Sequence, residues 1–496
     1  MNCNTVLDWL EQWDSDKVVY SDEKESITFK QVKEQAQRIG SSLKEVQGTQ
    51  PVAILSGRHV HTIVGYLGIV YSGHAYAPID GSLPKERIEV ILQDLDPACI
   101  LADDSYMELA KSLAHCEVYS LEECLAHETD TEYLACTRRN LSKTDPLYVI
   151  FTSGSSGKPK GVITNHLALM TYIESYVKVM KIDKEDILGN QSPLDYIAAI
   201  RDIYIPLLTG CSSFILKKEY FMEPDRLFDV MNTQGITSVG WSVSAFTILT
   251  SLGAFEDNAL KTLKKICFSG SIMPSRCLRV WQTHLPEAVF VNQYGPTEAT
   301  ASCTYYVVDH VVEENEVLPI GVPYENYHVF LVKEDLSYAE KGETGEICVS
   351  GPILALGYYN DPERTSKSFV LNPNCKGYPQ RMYRTGDYGQ WNEDGLLMFH
   401  GRMDRQIKHM GHRVELDEIE VAARRVDGVQ ECVAMYNKEK EVLYLFYEGT
   451  CERRQLILGL RSVLPGFMVP RKVLQLEKLP RLANGKLDTT TLKENM

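Results

Sequence analysis

The sequence predicts an α/β protein with a large, multi-subdomain N-terminal body, its sheets layered by helices, and a small α/β C-terminal lid. Three observations carry that reading. At 496 residues the chain exceeds what one hydrophobic core serves, so two or three domains are expected. Its early part alternates short apolar runs with helical spacing, the pattern of sheets interleaved with helices. Finally, the turn-rich Trp391-Asn-Glu-Asp-Gly395 precedes Gly401-Arg-Met-Asp404, beyond which about ninety residues remain, enough for a small domain with its own modest core. The predicted division is 1–402 for the body and 403–496 for the lid.

Taken in order, Val52-Ala-Ile-Leu55 is an apolar run of strand length. Ile63, Val64, Leu67, Val70 and Tyr71 follow at helical spacing, with Gly73 placed to end that helix. Ala75 to Ile79 reads as the next strand. Pro84 then opens a helix carrying Ile88, Ile91, Leu92 and Leu95 on one face, and Cys99-Ile-Leu-Ala102 resumes the strand pattern. Tyr148-Val-Ile-Phe151 is a further strand. The chain has no internal repeat and no low-complexity segment.

Composition narrows the function classes. Hydrophobic content of 44% and charged content of 24% fit a globular protein rather than a disordered or fibrous one. A net charge of -16 argues against nucleic acid as a partner, since that binding relies on Lys and Arg neutralising phosphates. The first apolar stretch contains acidic residues and has no basic lead, unlike a secretory signal. The uncharged stretch from Asn232 to Phe255 is broken by Gln, Thr, Ser and Gly, which argues against a membrane span. Thirteen cysteines, scattered without metal-ligand spacing, fit reduced thiols in a cytoplasm.

Directly after the Tyr148–Phe151 run comes Thr152-Ser-Gly-Ser-Ser-Gly-Lys-Pro-Lys-Gly161. Its glycines (Gly154, Gly157 and Gly161) let backbone N–H groups turn toward an anion. The hydroxyls of Thr152, Ser153, Ser155 and Ser156 add donors, and Lys158 and Lys160 add charge. It is not a Walker A loop, because the glycine spacing is too short and Pro159 follows the first lysine where a Mg²⁺-binding hydroxyl would stand. A flexible Gly/Ser linker is the other reading of this composition.

The loop resembles the phosphate loop of the adenylate-forming enzymes: acyl-CoA synthetases, peptide-synthetase adenylation domains and firefly-type luciferases. The likeness continues in order through Asn292-Gln-Tyr-Gly-Pro-Thr-Glu298, Gly345-Glu-Ile-Cys-Val-Ser-Gly351, Tyr383-Arg-Thr-Gly-Asp387 and Gly401-Arg-Met-Asp-Arg-Gln-Ile-Lys408. It ends with Gly411-His-Arg-Val-Glu-Leu-Asp-Glu-Ile-Glu420 and Asn484-Gly-Lys486. Stand-alone amino-acid:carrier-protein ligases such as D-alanine–carrier-protein ligase are the members it resembles most.

The resemblance implies ATP-dependent adenylation followed by thioester transfer, with ATP and Mg²⁺ as cofactors. It places Thr152 to Lys158 on the phosphates, Asn292, Gln293 and Tyr294 on the adenine side, and Gly295 and Pro296 in the turn that follows. Thr297 would meet the α-phosphate and Glu298 would help hold Mg²⁺ through one carboxylate. Asp387 would accept hydrogen bonds from the ribose hydroxyls, with Phe399 and Arg402 bordering the nucleotide. Lys486 would stabilise the charge that builds between the acyl carboxylate and the α-phosphate. Asp404 matches the family's hinge, about which the small lid turns between adenylating and thiol-transfer poses, the Gly411 segment then lining the thiol's path. Read without the family, Glu298 is a solvated acid, Asp387 a turn residue and Lys486 a surface lysine.

By the same resemblance the acyl pocket is lined by Ile197, Ala198, Arg201, Gly240, Cys267, Ser269, Gln293, Ala301 and Ser302. Ile197 falls where the family aspartate pairs with an α-ammonium, and a buried ammonium without a partner is costly. Arg201 is the pocket's cation, and a guanidinium suits a second carboxylate or another acceptor. The expected substrate is therefore a small acid lacking a free α-amino group, with an anionic or polar tail. The alternative has Arg201 pack outward or pair with Asp202 while Asp195 takes an ammonium. No carrier segment follows Lys486, so a separate carrier protein with a phosphopantetheine arm is the expected acceptor, with coenzyme A as the alternative. A luciferase-like oxidoreductase and a non-catalytic nucleotide-binding scaffold are the competing classes. Such ligases commonly feed cell-envelope modification or nonribosomal peptide biosynthesis.

Overall fold

A computed structural model describes the chain apart from residues 1–3, 155–157, 257, 403–404, 439, 482–488 and 495, and the side chains of 489, 490 and 494. It divides into two compact units. The first comprises Met1–Gly81, Leu95–Ile150 and Gly161–Met403; the second comprises Ser82–Asp94, Phe151–Lys160 and Asp404–Met496.

The expected strand–helix alternation is present: strand Val52–Ser56, helix Val60–Tyr71, strand Tyr76–Asp80, helix Lys85–Leu95, strand Ile100–Ala102. Gly73 has φ +90°, a conformation that only glycine adopts without strain, and it stops the helix as its position predicts. Val52–Ser56 is buried at every residue, as a strand flanked by parallel neighbours must be. It lies in a seven-stranded sheet ordered Gly357–Tyr358, Lys160–Asn165, Pro146–Thr152, Tyr76–Asp80, Val52–Ser56, Ile100–Ala102, Val118–Ser120.

A nine-stranded sheet positions the chemistry of the first unit. From one edge it runs Val322–Pro323, Thr304–Val308, Val289–Tyr294, Lys265–Ser269, Ser238–Ser242, Ile187–Asn190, Ser212–Ile215, Val18–Ser21, Ser26–Thr28. The strands from Val289–Tyr294 to Val18–Ser21 are mutually parallel. One apolar cluster packs Tyr172, Ile173 and Tyr176 of helix His166–Met180 with Ile200, Ile203 and Tyr204 of helix Ile200–Thr209, together with Cys267 and Val291 of the sheet. A second gathers Trp241, Phe246, Phe268 and Trp281. A third, antiparallel sheet of His328–Val332, Thr344–Ser350, Arg381–Trp391 and Phe369–Leu371 carries Leu397–Arg402 against Arg381–Trp391.

The second unit holds the hairpin Gln406–His409/His412–Glu415 and a sheet of Val429–Asn437, Val442–Gly449 and Lys472–Gln475. Helices Leu416–Arg424 and Arg453–Val463 pack on it around Ile419, Leu445, Leu456 and Leu460. Among the described residues no helix is long and apolar enough to cross a membrane, and the twelve described cysteines are free thiols.

Candidate active site

The Val289–Tyr294 strand delivers its C-terminal end into a turn that folds back sharply. A Cβ on Gly295 would meet Ser302 Cα at 2.4 Å and Cys303 N at 2.7 Å, so only glycine allows the approach. The return is secured by the Cys303 N–H donating to the Tyr294 carbonyl at 2.8 Å. Thr300 and Ala301, at φ +48° and +71°, hold consecutive left-handed conformations that cost energy in non-glycine residues and cluster where function needs them. Within this turn, past Pro296, lie Thr297 and Glu298, 6% and 0% exposed. The Tyr358 hydroxyl donates to Glu298 Oε1 at 2.7 Å, so the acid is fixed rather than solvated.

Asp387 and Arg402 are cross-strand partners on Arg381–Trp391 and Leu397–Arg402. The Arg402 guanidinium donates to Asp387 Oδ1 and the Tyr294 hydroxyl to Oδ2, each at 2.5 Å. The Asp387 N–H donates to Thr385 Oγ1 at 3.0 Å, and Phe399 sets its ring 6.0 Å from that of Tyr294. Burial, with the Asp387 charge beside it, drives the Tyr294 phenol well above its ordinary pKa, so it stays a donor. Asn292 turns its amide to the Pro319 carbonyl at 2.8 Å. Segments about a hundred residues apart thus assemble one oriented carboxylate beside two aromatic faces, suited to hydroxyl donors and a flat base.

Of the glycine-rich loop, Thr152, Ser153, Gly154 and Lys158 are described, in the second unit; Ser155, Ser156 and Gly157 lie outside the described residues, as do Asp404 and Lys486. Ser153 Oγ donates to the Arg413 carbonyl at 2.7 Å, and the Gly154 N–H to Glu418 Oε2 at 3.2 Å. Arg87 pairs with the other oxygen of Glu418, which is 1% exposed. A carboxylate therefore rests on an amide of this loop, the same type of acceptor as a phosphate oxygen. Thr152 Oγ1 is buried without a partner, and Lys158 is exposed.

The residues assigned to the acyl pocket come together in the first unit. Arg201, 2% exposed, points inward: its guanidinium donates to the Ala198 carbonyl at 3.3 Å, the Gly240 carbonyl at 2.9 Å and Cys267 Sγ at 3.7 Å, and lies 5.7 Å from the Tyr176 ring centre. A Cβ on Gly240 would sit 3.1 Å from Arg201 Cζ and 3.2 Å from the Tyr176 hydroxyl. Gly240 is the register partner of Cys267, and Ser269 of Gln293. Burial pushes the Cys267 thiol up to about 11, which keeps it protonated. Tyr172 is pushed up to about 12 by burial, an effect that Arg201 and Ser302 oppose. Ile197, 6% exposed, belongs to the apolar cluster, and Ala301 packs against it.

Asp202 instead accepts from the Asn190 amide at 2.8 Å, and Asp195 sits among Asp80, Arg58 and Tyr66, its carboxyl raised to about 7 by burial and then by Asp80. Sequence reasoning missed Tyr172, Tyr176, Tyr358 and the Arg87–Glu418 pair. The spacing of Tyr172 and Tyr176 on one helix face was available as a signal; the others join residues far apart in the chain.

A family described as "AMP-binding enzyme" matches residues 7–359. The chain is 30% identical over 515 residues to the D-alanine–D-alanyl carrier protein ligase of Bacillus thuringiensis (strain Al Hakam), covering 98% of each. It is also 30% identical over 477 residues to tyrocidine synthase 2 of Brevibacillus parabrevis, spanning 95% of this chain but 13% of that protein. A solved nonribosomal peptide synthetase protein containing adenylation and PCP domains, bound to a vinylsulfonamide inhibitor, superposes with TM-score 0.84 at 25% identity, over 99% of this chain and 84% of that one.

Proposed function

The chain belongs to the AMP-binding enzyme family, and on that premise we propose that it activates a small carboxylic or amino acid with ATP, releasing pyrophosphate, and passes the acyl group to the phosphopantetheine thiol of a separate carrier protein. The observation that carries this reading is the buried Asp387 carboxylate, oriented by Tyr294 and Arg402, on the body that also holds the tight Gly295–Glu298 turn. Asp387 accepts the ribose hydroxyls, while Tyr294 and Phe399 border the base. The Thr297 hydroxyl meets the α-phosphate. The unpartnered Thr152 hydroxyl and the Gly154 amide suit phosphate oxygens, the phosphate displacing the Glu418 carboxylate.

Glu298 fits a cation that arrives with its phosphates: it is a single carboxylate, and among the described residues no group of three acidic, His or Cys side chains is placed to hold a metal ion by itself. Mg²⁺ held there would neutralise charge on the triphosphate as pyrophosphate leaves. Lys486, carried on a lid spanning 403–496, inserts its ammonium between the acyl carboxylate and the α-phosphate; rotation about Asp404 then withdraws it and admits the thiol. The carrier acceptor is supported by the full-length likeness to a D-alanyl carrier protein ligase. The free thiols of the twelve described cysteines support a cytoplasmic setting, where ATP is available.

The test is acid-dependent exchange of labelled pyrophosphate into ATP across an acid library, followed by mass spectrometry of a phosphopantetheinylated carrier. Exchange with at least one acid and the matching acyl mass on the carrier are expected. ATP binding without exchange for any acid would overturn the reading, and acylation of coenzyme A alone would move the acceptor.

A further inference from the structure

Arg201 is a buried cation whose bonded partners are all neutral. Two carbonyl oxygens and a thiol take Nε and one hydrogen on each terminal nitrogen, leaving N–H groups on both arms of the fork. Among the described residues no carboxylate forms an ion pair with it. The nearest acid in sequence, Asp202, is bonded to Asn190. Asp202 acts on the guanidinium through space, each favouring the other's charged form, but no carboxylate bonds its open N–H groups, and natural interiors pair or coordinate such charges directly.

A second group on the same sheet face is also unsatisfied. Gln293 is 2% exposed, and neither its Oε1 nor its Nε2 has a hydrogen-bond partner. Register places the two groups together: Gly240, Cys267 and Val291 form one row across the parallel strands, and Ser242, Ser269, Gln293 and Tyr305 form the next row toward the strands' C-terminal ends. Neighbours in register share a face, and so do residues two apart along a strand. Arg201 caps the first row through Gly240 and Cys267; Gln293 stands in the second. In open α/β sheets the C-terminal ends of the strands are where ligands bind.

We propose, resting on the adenylation reading above, that the acid activated here is a small dicarboxylic acid without an α-ammonium, whose second carboxylate pairs with Arg201 and accepts from the Gln293 amide. A carboxylate matches the guanidinium fork and supplies a bonded counter-charge. An α-ammonium would meet the guanidinium and Ile197, with no acid bonded to either.

The test uses the wild-type chain with a matched set of acids of three to five carbons: dicarboxylic acids, their mono-amides, unsubstituted and hydroxy monocarboxylic acids, D- and L-alanine, and aspartate. Pyrophosphate exchange is expected to be highest with one dicarboxylic acid, at least about 100-fold lower in kcat/KM with its monocarboxylic counterpart, and lower still with alanine. Arg201→Gln should remove most of that preference through KM with AMP binding retained, and Gln293→Leu should lower kcat/KM for the dicarboxylic acid about tenfold. Strong turnover of alanine, or no loss on replacing the second carboxylate, overturns the inference and leaves adenylation standing. Silence with every acid, with ATP bound, overturns adenylation and this inference with it.

Discussion

Asp387 and Arg201 are both buried charges of the first unit, 5% and 2% exposed, yet their surroundings differ in kind. Asp387 is engaged on both oxygens by Arg402 and Tyr294, so its charge is balanced before any ligand arrives. Arg201 is held by dipoles and a ring, beside an amide with no partner at all. A group that orients a ligand's hydroxyls works from within a finished network, because its task is geometry. In the role proposed for Arg201, the ligand's carboxylate completes what the protein leaves open.

That contrast can be broken in several ways. The largest effect lies outside both clusters and sets the scale: Lys486→Ala should cut acid-dependent pyrophosphate exchange by about 100-fold or more with the melting temperature unchanged. Unaltered exchange would remove the lysine from the mechanism. Next, Asp387→Ala removes the buried carboxylate that Arg402 and Tyr294 both donate to, and should cost about 3 kcal/mol in urea denaturation and raise KM for ATP; a variant as stable as the wild type would mean the network is not balanced as described.

Arg201→Met is expected to go the other way, leaving stability unchanged or raising it by about 1 kcal/mol, since it removes a buried charge to which no carboxylate is bonded among the described residues. A loss comparable to that of Asp387→Ala would put Arg201 among the structural ion sites. The smallest effect concerns Asp195, whose carboxyl is raised to about 7 chiefly by burial. The native state then holds its proton above the pH at which the unfolded chain releases it, so stability falls as pH rises from about 4 toward 7. Asp195→Asn should therefore gain on the wild type between pH 5 and pH 8, read as a growing difference in urea midpoint.

Much of the fold was legible because local patterning and global packing agree. Val52–Ser56, Val60–Tyr71 and Tyr76–Asp80 follow from an apolar run, a helical stripe and a glycine at positive φ. Strand order was not legible: nothing local in Val18–Ser21 says that it pairs with Ser212–Ile215, since such pairing depends on the whole sheet. In the site, the Tyr-Gly-Pro-Thr-Glu turn carries its own explanation in Gly295, whereas the bond from Tyr358 to Glu298 spans sixty residues and leaves no mark on either neighbourhood. The inward orientation of Arg201 was one of two readings of its position. The carbonyls of Ala198 and Gly240 that receive it became visible only once helix and sheet were docked.

In the role proposed for Arg201, Gly240 sets how far the cation reaches. Its missing side chain is the space against which the Arg201 guanidinium and the Tyr176 hydroxyl rest, at 3.1 and 3.2 Å from where a methyl would stand. One added carbon would shift the cation without touching its charge, moving the length of acid it reaches. On that proposal, the shortest route to a new substrate runs through a position that carries no functional group.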